Sequence, residues 1–330
     1  MMGQRALAEL GASHILEDAG APSVQRTRIL WKGRSRLLTG GHMRVISRHR
    51  LDTALADRAL GAGAEVLWGT RAVIEDVGGT DARLMVSLRT ARGSQTLRPE
   101  AVVQACGLRT ATCDPGRVRV ARSSRIGLGA VGGHPPGWLR PGELVMHIAF
   151  FGYAGCVLDE SGAATWAAAV DPRAIRRAGS PGACIARLLE ESGADASDAP
   201  ELEWRGTPAL SRRMPAQSGR VFRIGDAARY VEPLTGEGMS WALGSGLRVA
   251  RHLREMVSFE DRLKRPSWSR DRQRLLAAHE RRCGLVSRAT RSKGMMRLAF
   301  ALTRDENAGR GRLLELAIGA KAGEMRGVRA

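Results

Sequence analysis

The chain has 330 residues, with 52 Lys and Arg against 33 Asp and Glu, so its formal net charge is +19. Hydrophobic residues make up 43% and charged residues 26% of the sequence, which excludes a disordered or collagen-like chain, although 40 glycines indicate many tight turns. At roughly 100–200 residues per domain, the length fits one large domain or two and is sufficient to bury a sizeable core.

The positive charge comes almost wholly from arginine, because the chain has only four lysines: Lys32, Lys264, Lys293 and Lys321. Such a basic composition is typical of nucleic-acid-binding domains, and that interpretation stays as an alternative. The arginines are spread over the whole chain, and only 4% of residues are aromatic, which leaves few rings on which bases can stack. We therefore favour a general arginine-rich composition and expect no specific nucleic-acid partner.

Cysteine and histidine spacing predicts neither a disulfide framework nor a metal site. The five cysteines are scattered without CxxC spacing, and the seven histidines form no HExxH motif or spaced set with cysteine. The N-terminus has no signal-peptide pattern, and no apolar run approaches the ~18 residues that a membrane span requires. These features predict a cytoplasmic protein.

The first part of the chain has the element order of an α/β protein. Apolar spacing predicts a helix over residues 2–20 and a second helix over Arg48–Gly61. A hairpin around residues 92–94 leads to the apolar run 102–105, which stops at Cys106 and Gly107. Helix, hairpin, buried strand and glycine turn in this order predict a layered α/β fold.

The pattern changes to alternating strands between residues 117 and 170, which predicts an antiparallel sheet. After it the α/β pattern returns, and the remainder from residue 268 predicts arginine-rich helices. The elements predicted in this part are strands over 144–158, 163–170, 202–206 and 221–224 and helices over 181–192 and 239–253.

A literal G-x-G-x-x-G occurs at Gly127, Gly129 and Gly132. A dinucleotide-binding glycine loop must open a helix that receives the pyrophosphate at its N-terminus. Here the motif is followed by Gly-His-Pro-Pro-Gly, in which no helix can begin and persist. We therefore predict a loop at this position and no nucleotide site.

The most informative segment is a buried strand followed by a glycine-rich loop and a helix. The strand ends at Asp226, which places a carboxylate at the carboxyl edge of a sheet, where ligands of open α/β folds bind. Gly236 and Gly238 bring bare backbone N–H groups to the start of the helix, which suits an electron-rich carbonyl or an anion on a ligand.

Eight residues of this segment form a Gly-Asp-Ala-Ala tetrapeptide and a Pro-x-x-Gly-x-Gly-Met loop: Gly225, Asp226, Ala227, Ala228, Pro233, Gly236, Gly238 and Met239. This pair of elements resembles the second FAD-binding motif of the flavoprotein superfamily that contains geranylgeranyl reductases, flavin halogenases and aromatic-ring hydroxylases. The resemblance implies FAD as cofactor, with Asp226 on the ribityl or ribose hydroxyls. It also implies that the amides of Gly236, Gly238 and Met239 lie against the flavin pyrimidine carbonyl.

Two further elements extend the resemblance. Ser47-Arg48-x-x-Leu51-Asp52 is similar to the family element whose arginine lies near the FAD phosphates, so that role falls on Arg48, with a helix-surface arginine as the alternative. The segment 152–155 falls where geranylgeranyl-reductase-like relatives carry G-Y-x-W-x-F-P beside flavin and substrate. Tyr153 is therefore a candidate substrate-side residue, with an ordinary core tyrosine as the alternative.

The chain departs from the family at two places. Ala105-Cys106-Gly107 stands where relatives have Ala-Asp-Gly, so the contact made by that Asp is lost. Relatives begin with a βαβ unit that carries G-x-G-x-x-G, and this chain begins after it. We expect that a longer native chain supplies that unit.

The predicted fold is therefore α/β: an FAD-binding, Rossmann-like domain of the glutathione-reductase type, N-terminally truncated, with an inserted antiparallel β-sheet substrate domain and C-terminal helices. The two parts of the FAD-binding domain are assigned to residues 1–110 and 206–257. The substrate domain is assigned to 111–205 and the C-terminal helical region to 258–330.

The resemblance implies an FAD-dependent oxidoreductase of the geranylgeranyl-reductase-like branch, a reductase or hydroxylase, acting on a hydrophobic small molecule such as an isoprenoid or polyketide. NAD(P)H is the expected external electron donor. Halogenation ranks lower because the Trp-x-Trp-x-Ile-Pro segment of halogenases is absent from this sequence. The sequence identifies no catalytic acid or base.

Two alternatives come from other function classes. The first is a non-catalytic remnant that keeps the substrate domain as a binding module. The second is a basic binder of nucleic acid or of an anionic membrane surface, with peripheral membrane contact through the C-terminal region. Its amphipathic face would consist of Arg288, Arg291, Lys293, Arg297, Met295, Met296, Leu298 and Phe300.

Overall fold

The computed structural model describes residues 2–76, 84–91, 93–108, 118–132, 134–195, 201–232, 234, 236–258 and 267–302. The helices within these ranges are α1 (Met2–Glu9), α2 (His14–Asp18), α3 (Arg48–Gly61), α4 (Pro172–Ala178), α5 (Pro181–Ser192), α6 (Gly238–Ser258), α7 (Trp268–Thr290) and α8 (Lys293–Leu302). The strands of the first part are β1 (Ser23–Trp31), β2 (Arg34–Arg44), β3 (Arg71–Asp76), β4 (Met85–Thr90), β5 (Gly93–Leu97), β6 (Val102–Gln104), β7 (Arg119–Val120) and β8 (Ile126–Val131). Those of the second part are β9 (Glu143–Ala149), β10 (Gly152–Leu158), β11 (Ala164–Val170), β12 (Arg205–Ala209), β13 (Arg212–Arg213), β14 (Gln217–Ser218), β15 (Val221–Arg223) and β16 (Arg229–Tyr230).

A seven-stranded sheet dominates the molecule, in the order β12-β8-β11-β10-β9-β1-β2. All its neighbours run antiparallel except β1 and β9, which pair in parallel from Arg26↔Glu143 to Leu30↔His147. Helix α5 covers one face, where Ile185, Leu188 and Leu189 pack against Trp166. The antiparallel sheet predicted from the sequence is therefore present, and its other face is available to line a cavity.

The first two strands of this sheet fall inside the range 1–110 that the sequence assigns to the FAD-binding part. The structure places residues 23–44 in the seven-stranded sheet instead, through the parallel pairing of β1 with β9. This pairing joins segments more than a hundred residues apart, and nothing in the local pattern of either strand signals it.

The predicted buried strand before the Gly-Asp turn is β15, which pairs in parallel with β6 in a small sheet of order β14-β15-β6. Arg223 fixes this pairing from within, because its buried side chain donates from Nε to Oε1 of Gln104 at 2.8 Å. Helix α6 follows and packs on α1, with Gly3 of α1 facing Ser240 so closely that a Cβ there would lie 2.7 Å from its Oγ.

Capping residues place the helices where the sequence predicts them. Ser47 accepts a hydrogen bond from the backbone N–H of Arg50 at the start of α3, and Ser180 does the same from Ala183 at the start of α5. The helix predicted over 2–20 is divided into α1 and α2, since Gly11 adopts a left-handed conformation with φ +62°.

Two local predictions are corrected. The first two glycines of the G-x-G-x-x-G segment do not lie in a loop, because Gly127 and Gly129 belong to β8 and both pair with β11, and Gly129 also pairs with β12. The strand predicted over 144–158 is two strands, β9 and β10, which turn at residues 150 and 151. Alternating small residues pack in a sheet as readily as they form a loop, so the pattern alone did not separate the two.

The C-terminal helices pack onto the sheets. Trp268 of α7 is fully buried and donates from Nε1 to the carbonyl oxygen of Arg223 at 2.9 Å. In α8, Met296 and Phe300 are buried against Trp31, whereas Met295 and Leu298 remain exposed. Half of the apolar residues considered for membrane contact therefore belong to the protein core. Among the described helices, none combines the length and apolarity that crossing a bilayer requires.

Candidate functional site

A cavity of about 1040 Å³ lies between the seven-stranded sheet and the segment that leads from β15 into α6. It brings together six of the residues predicted for the site: Arg48, Tyr153, Asp226, Gly236, Gly238 and Met239. These residues are up to 191 positions apart in the sequence. A volume of this size is at the upper end of small-molecule and cofactor sites.

The turn after β15 positions Asp226. Gly225 has φ +51°, its N–H donates to Ser245 Oγ at 3.0 Å, and a Cβ on it would lie 3.4 Å from the Cβ of Ala242. Only glycine fits this left-handed residue so close to α6 without strain. Gly225 thus forms the turn behind the cavity wall and turns the next side chain, Asp226, toward the cavity.

The Asp226 carboxyl is half-buried at the cavity and makes no hydrogen bond with the described residues. Burial raises its pKa from the usual value of 3.8 to about 6, although Arg48 and Arg212 nearby favour the ionised form. At neutral pH Asp226 is therefore a carboxylate with open acceptor positions. It is suited to receive hydroxyl hydrogens from a bound sugar or ribityl chain.

The loop before α6 contributes Gly236 and Gly238 to the lining of the same cavity. Gly236 has φ +68°, and a Cβ added to Gly236 or Gly238 would meet no atom within 4 Å, so both face open space. Gly238 and Met239 begin α6, whose first N–H groups point out of the helix. Pro233, which the sequence also assigns to the cofactor site, lies outside the described residues.

A buried ion-pair network anchors the start of this loop. Glu232 is fully buried and receives hydrogen bonds from Arg125 at 2.8 Å and from Arg291, which directly follows α7, at 3.1 Å. Arg125 is also fully buried and lies 5.6 Å above the ring of Tyr153. Sequence reasoning missed this network, because nothing in the spacing of Arg125 and Glu232 indicates that they meet.

Arg48 lies at the first turn of α3 and is exposed at the cavity. Its guanidinium forms a bidentate pair with Asp52 one turn later, with Nη2 to Oδ2 at 2.8 Å and Nε to both carboxylate oxygens at 3.2 Å. The same side chain is close enough to Asp226 to influence the pKa of that carboxyl. Arg48 is therefore a surface residue of a helix and also lines the cavity.

Tyr153 lies in β10 with only 5% of its surface exposed, and it belongs to a hydrophobic cluster with Met146 and Leu210. Burial raises the pKa of its phenol well above the usual value, so the hydroxyl stays protonated. The hydroxyl makes no hydrogen bond with the described residues. Tyr153 is thus a core tyrosine whose side chain also forms part of the cavity wall.

The cavity residues fit FAD by the chemistry of their donors and acceptors. They offer an unpaired carboxylate for hydroxyl groups, two glycines with room for close backbone approach, and the N-terminus of a 21-residue helix. Cys106, which replaces the family's Asp at the end of β6, is exposed and lies near Arg212. No histidine or cysteine among the described residues lines the cavity.

A profile of the family described as FAD binding domain matches residues 4–282. The chain belongs to this FAD-binding domain family. It is an FAD-dependent oxidoreductase, and FAD is its cofactor. The predicted superfamily and cofactor are confirmed, whereas the geranylgeranyl-reductase-like branch and the expected upstream βαβ unit stay predictions.

Solved structures share the fold across most of the chain. A flavoprotein/dehydrogenase from Cytophaga hutchinsonii has a TM-score of 0.76 at 13% identity, covering 96% of this chain and 82% of the other. The flavin-dependent brominase Bmp2 has a TM-score of 0.74 at 14% identity, covering 96% and 81%. The p-nitrophenol 4-monooxygenase of Pseudomonas putida has a TM-score of 0.70 at 16% identity, covering 96% and 84%. No curated protein sequence matches the chain. These similarities confirm the predicted fold class.

Proposed function

We propose that this FAD-dependent oxidoreductase hydroxylates a hydrophobic small molecule such as a polyketide or an isoprenoid. The observation that carries the proposal is the character of the sheet wall of the cavity. The residues of β8–β11 whose side chains face away from α5 line this wall, and nearly all of them are apolar or lack a side chain: Gly127, Gly129, Val131, Leu144, Met146, Gly155, Val157, Ala167 and Ala169. An apolar wall of this extent favours an apolar substrate.

The two sides of the cavity are proposed to bind different ligands, FAD on one side and the substrate on the other. Arg48, Asp52 and Asp226 lie on the side of α3 and the β15–α6 segment, where the FAD motif is, and the small residues of β8 and β11 lie on the sheet side. On that side the charged lining residues, Glu203 and Arg205, are confined to the edge strand β12 and the residues before it. A flat apolar ring fits over the glycines and alanines of β8 and β11, because their short side chains leave space there.

Tyr153 is the residue we assign to substrate orientation. Its hydroxyl is protonated over the physiological range and is without a hydrogen-bond partner among the described residues, so it is available to donate to an oxygen of the substrate. Arg125, 5.6 Å from the ring, holds Tyr153 in place from behind. Tyr153 is thus proposed to position the substrate and not to transfer a proton.

Arg48, Asp226 and the first residues of α6 would hold FAD, which would supply the two-electron redox chemistry between an external donor such as NAD(P)H and dioxygen or the substrate. The structural similarity of this chain to the p-nitrophenol 4-monooxygenase supports hydroxylation over reduction. The chain's own residues bind and orient the cofactor and the substrate, and no described cavity residue is a candidate nucleophile.

The test uses the purified 330-residue protein reconstituted with FAD. We expect protein-bound flavin bands in the visible spectrum and NADPH oxidation that is stimulated by a phenolic probe such as 4-nitrophenol under air. A second measurement of NADPH oxidation, made without dioxygen and with geranylgeraniol as the isoprenoid probe, distinguishes hydroxylation from alkene reduction. Stimulation only in that measurement would replace hydroxylation by alkene reduction, and flavin binding with no stimulation by any apolar probe would contradict the apolar-substrate assignment.

Tyr153→Phe tests the orientation role. It keeps the ring and the packing in the hydrophobic cluster and removes only the hydroxyl, so FAD binding and thermal stability are expected to stay unchanged. We expect KM for a phenolic substrate to rise about tenfold, the value of one lost hydrogen bond to a neutral partner. An unchanged KM would return Tyr153 to the role of a core residue alone.

A further inference from the structure

A second cavity, of about 770 Å³, lies between the β13–β16 pair and helix α7. We call it the arginine groove and define it by six of its lining residues: Arg213, Arg229, Arg272, Glu280, Arg281 and Arg288. None of these residues lines the FAD cavity.

The register of β13 and β16 explains why the two cavities are separate. Arg212 pairs with Tyr230, and the next pair along the ladder is Arg213 with Arg229. Successive side chains of a strand point to opposite faces. Tyr230 lines the FAD cavity, whereas Arg213 and Arg229 line the arginine groove, so one thin sheet separates the two.

The groove carries a strong excess of positive charge. Its five arginines face one carboxylate, Glu280, which is bracketed by Arg272 at 2.8 Å and Arg229 at 3.1 Å. Arg213, Arg281 and Arg288 form no ion pair or hydrogen bond with any described residue. Three arginines thus line one groove without a carboxylate partner among the described residues.

A buried group adds to this imbalance. The side chain of Arg272 is 9% exposed, and its Nε has no hydrogen-bond acceptor among the described residues. A buried donor without an acceptor is costly, and a guanidinium more so than a neutral group. An anion in the groove would supplement the single carboxylate that now balances Arg272.

The shape of the groove favours a small ligand with an apolar part. Its floor includes Met214, Val231 and Ala277, and Leu285 at its rim is 58% exposed. Gly284 lies between Arg281 and Arg288 on α7, and a Cβ there would meet no atom within 4 Å. The missing side chain keeps the groove open between two of its arginines.

We propose that the arginine groove binds the phosphate groups of a small organic phosphate, whose apolar part lies on the groove floor. Guanidinium groups recognise phosphate oxygens by paired, charge-assisted hydrogen bonds, and Arg213, Arg281 and Arg288 have no partner among the described residues that would compete for them. Because the sheet of β13 and β16 lies between groove and FAD cavity, the ligand bound here is separate from the flavin and from its substrate.

The experiment is calorimetric titration of the FAD-saturated protein with pyrophosphate, ADP and adenosine. Saturation with FAD prevents the probes from occupying the flavin site. We expect one saturable site for ADP, weaker binding of pyrophosphate, and none of adenosine. Equal binding of pyrophosphate and ADP would assign the groove to an inorganic phosphate source, and no binding of either at millimolar concentration would overturn the proposal.

Variants of α7 separate a built site from general attraction to a basic protein. Arg281→Gln and Arg288→Gln are each expected to weaken ADP binding about tenfold, equivalent to about 1.4 kcal/mol. Arg274→Gln and Arg282→Gln are the matched controls, because both are exposed on the same helix and neither lines the groove. Equal losses in all four variants would overturn the proposal, since they would show nonspecific binding.

The outcome is independent of the flavin assignment. If the protein fails to retain FAD, the proposed hydroxylase function fails, but the comparison of Arg281 and Arg288 with Arg274 and Arg282 still reports on the groove. Circular dichroism and thermal melting of each variant establish that it is folded. Exposed glutamine substitutions on a helix surface are expected to change neither.

Discussion

Replacement of Asp226 gives the sharpest test of the cofactor site. The carboxylate is proposed to accept hydroxyl hydrogens of FAD, and charge-assisted hydrogen bonds contribute about 1.5–3 kcal/mol. Asp226→Ala should therefore raise the Kd for FAD by about 10- to 150-fold. Asp226→Asn keeps the shape of the side chain and one acceptor oxygen but removes the charge. We therefore expect it to raise the Kd for FAD by a factor near the lower end of this range.

The pKa of Asp226 adds a pH signature. Burial raises it to about 6, so the apo-protein carries a carboxylate above pH 6 and a neutral carboxyl below it. FAD affinity of the native protein should fall as the pH decreases from 7 to 5, and Asp226→Asn should remove that dependence. Fluorescence titration of FAD at several pH values measures both effects, with Asp57→Asn, an exposed aspartate of α3 outside the cavity, as the control.

The stability of the apo-protein provides an independent measurement, because Asp226→Asn is expected to raise it while lowering the affinity for FAD. Because the folded-state pKa is raised, the contribution of Asp226 to stability is fully present below pH 3.8 and is lost as the pH rises through about 6. Asp226→Asn should thus make the apo-protein more stable at pH 7 while weakening its FAD binding. A variant that binds FAD normally at pH 7 would refute the assignment, and one that loses both stability and binding would show a structural role only.

Three further predictions concern the cavity and the core. Gly129→Leu should place a side chain in the cavity, since the nearest atom to its Cβ is 3.8 Å away, and lower turnover of bulky apolar substrates by about tenfold without changing the Kd for FAD. Glu232→Gln should lower the free energy of unfolding by about 3–5 kcal/mol in urea titrations, because it removes the negative charge nearest to the buried Arg125; a smaller loss would mean that Asp171, at 3.7 Å, balances that charge sufficiently. Burial lowers the pKa of His147 to about 4, so the stability present above pH 6.5 should decline by about 3 kcal/mol as the pH falls toward 4, and His147→Gln should flatten that profile.

Local patterns were sufficient for the elements that carry their own signals. The Ser caps of α3 and α5, the Gly-Asp turn after β15 and the start of α6 are all encoded within a few residues, and the sequence predicts each close to its observed position. The FAD motif was recognisable for the same reason, because its strand, turn and helix are contiguous.

Long-range contacts were not readable in this way. The parallel pairing of β1 with β9, the ion pair of Arg125 with Glu232 and the placement of Arg212 beside Asp226 all depend on how distant segments pack. The glycines of β8 were ambiguous because the same spacing suits a loop, and only pairing with β11 and β12 decides between the two. The sequence showed only that the chain is rich in arginine and did not indicate that the residues of the arginine groove lie together.

The pairing of β6 with β15 sets the order in which the protein can form during its synthesis. Strands β8–β11 are neighbours in sequence and can pair as soon as residue 170 has left the ribosome. The FAD half must wait for α6, because β6 needs Arg223 of β15, and α1 needs the face around Ser240. The apolar wall that later faces the flavin is therefore exposed on the nascent chain while about ninety more residues are added, which takes roughly 5–20 s at ordinary translation rates. Mutations that delay the synthesis or packing of α6 should thus increase aggregation during expression, even where the stability of the folded protein is unchanged.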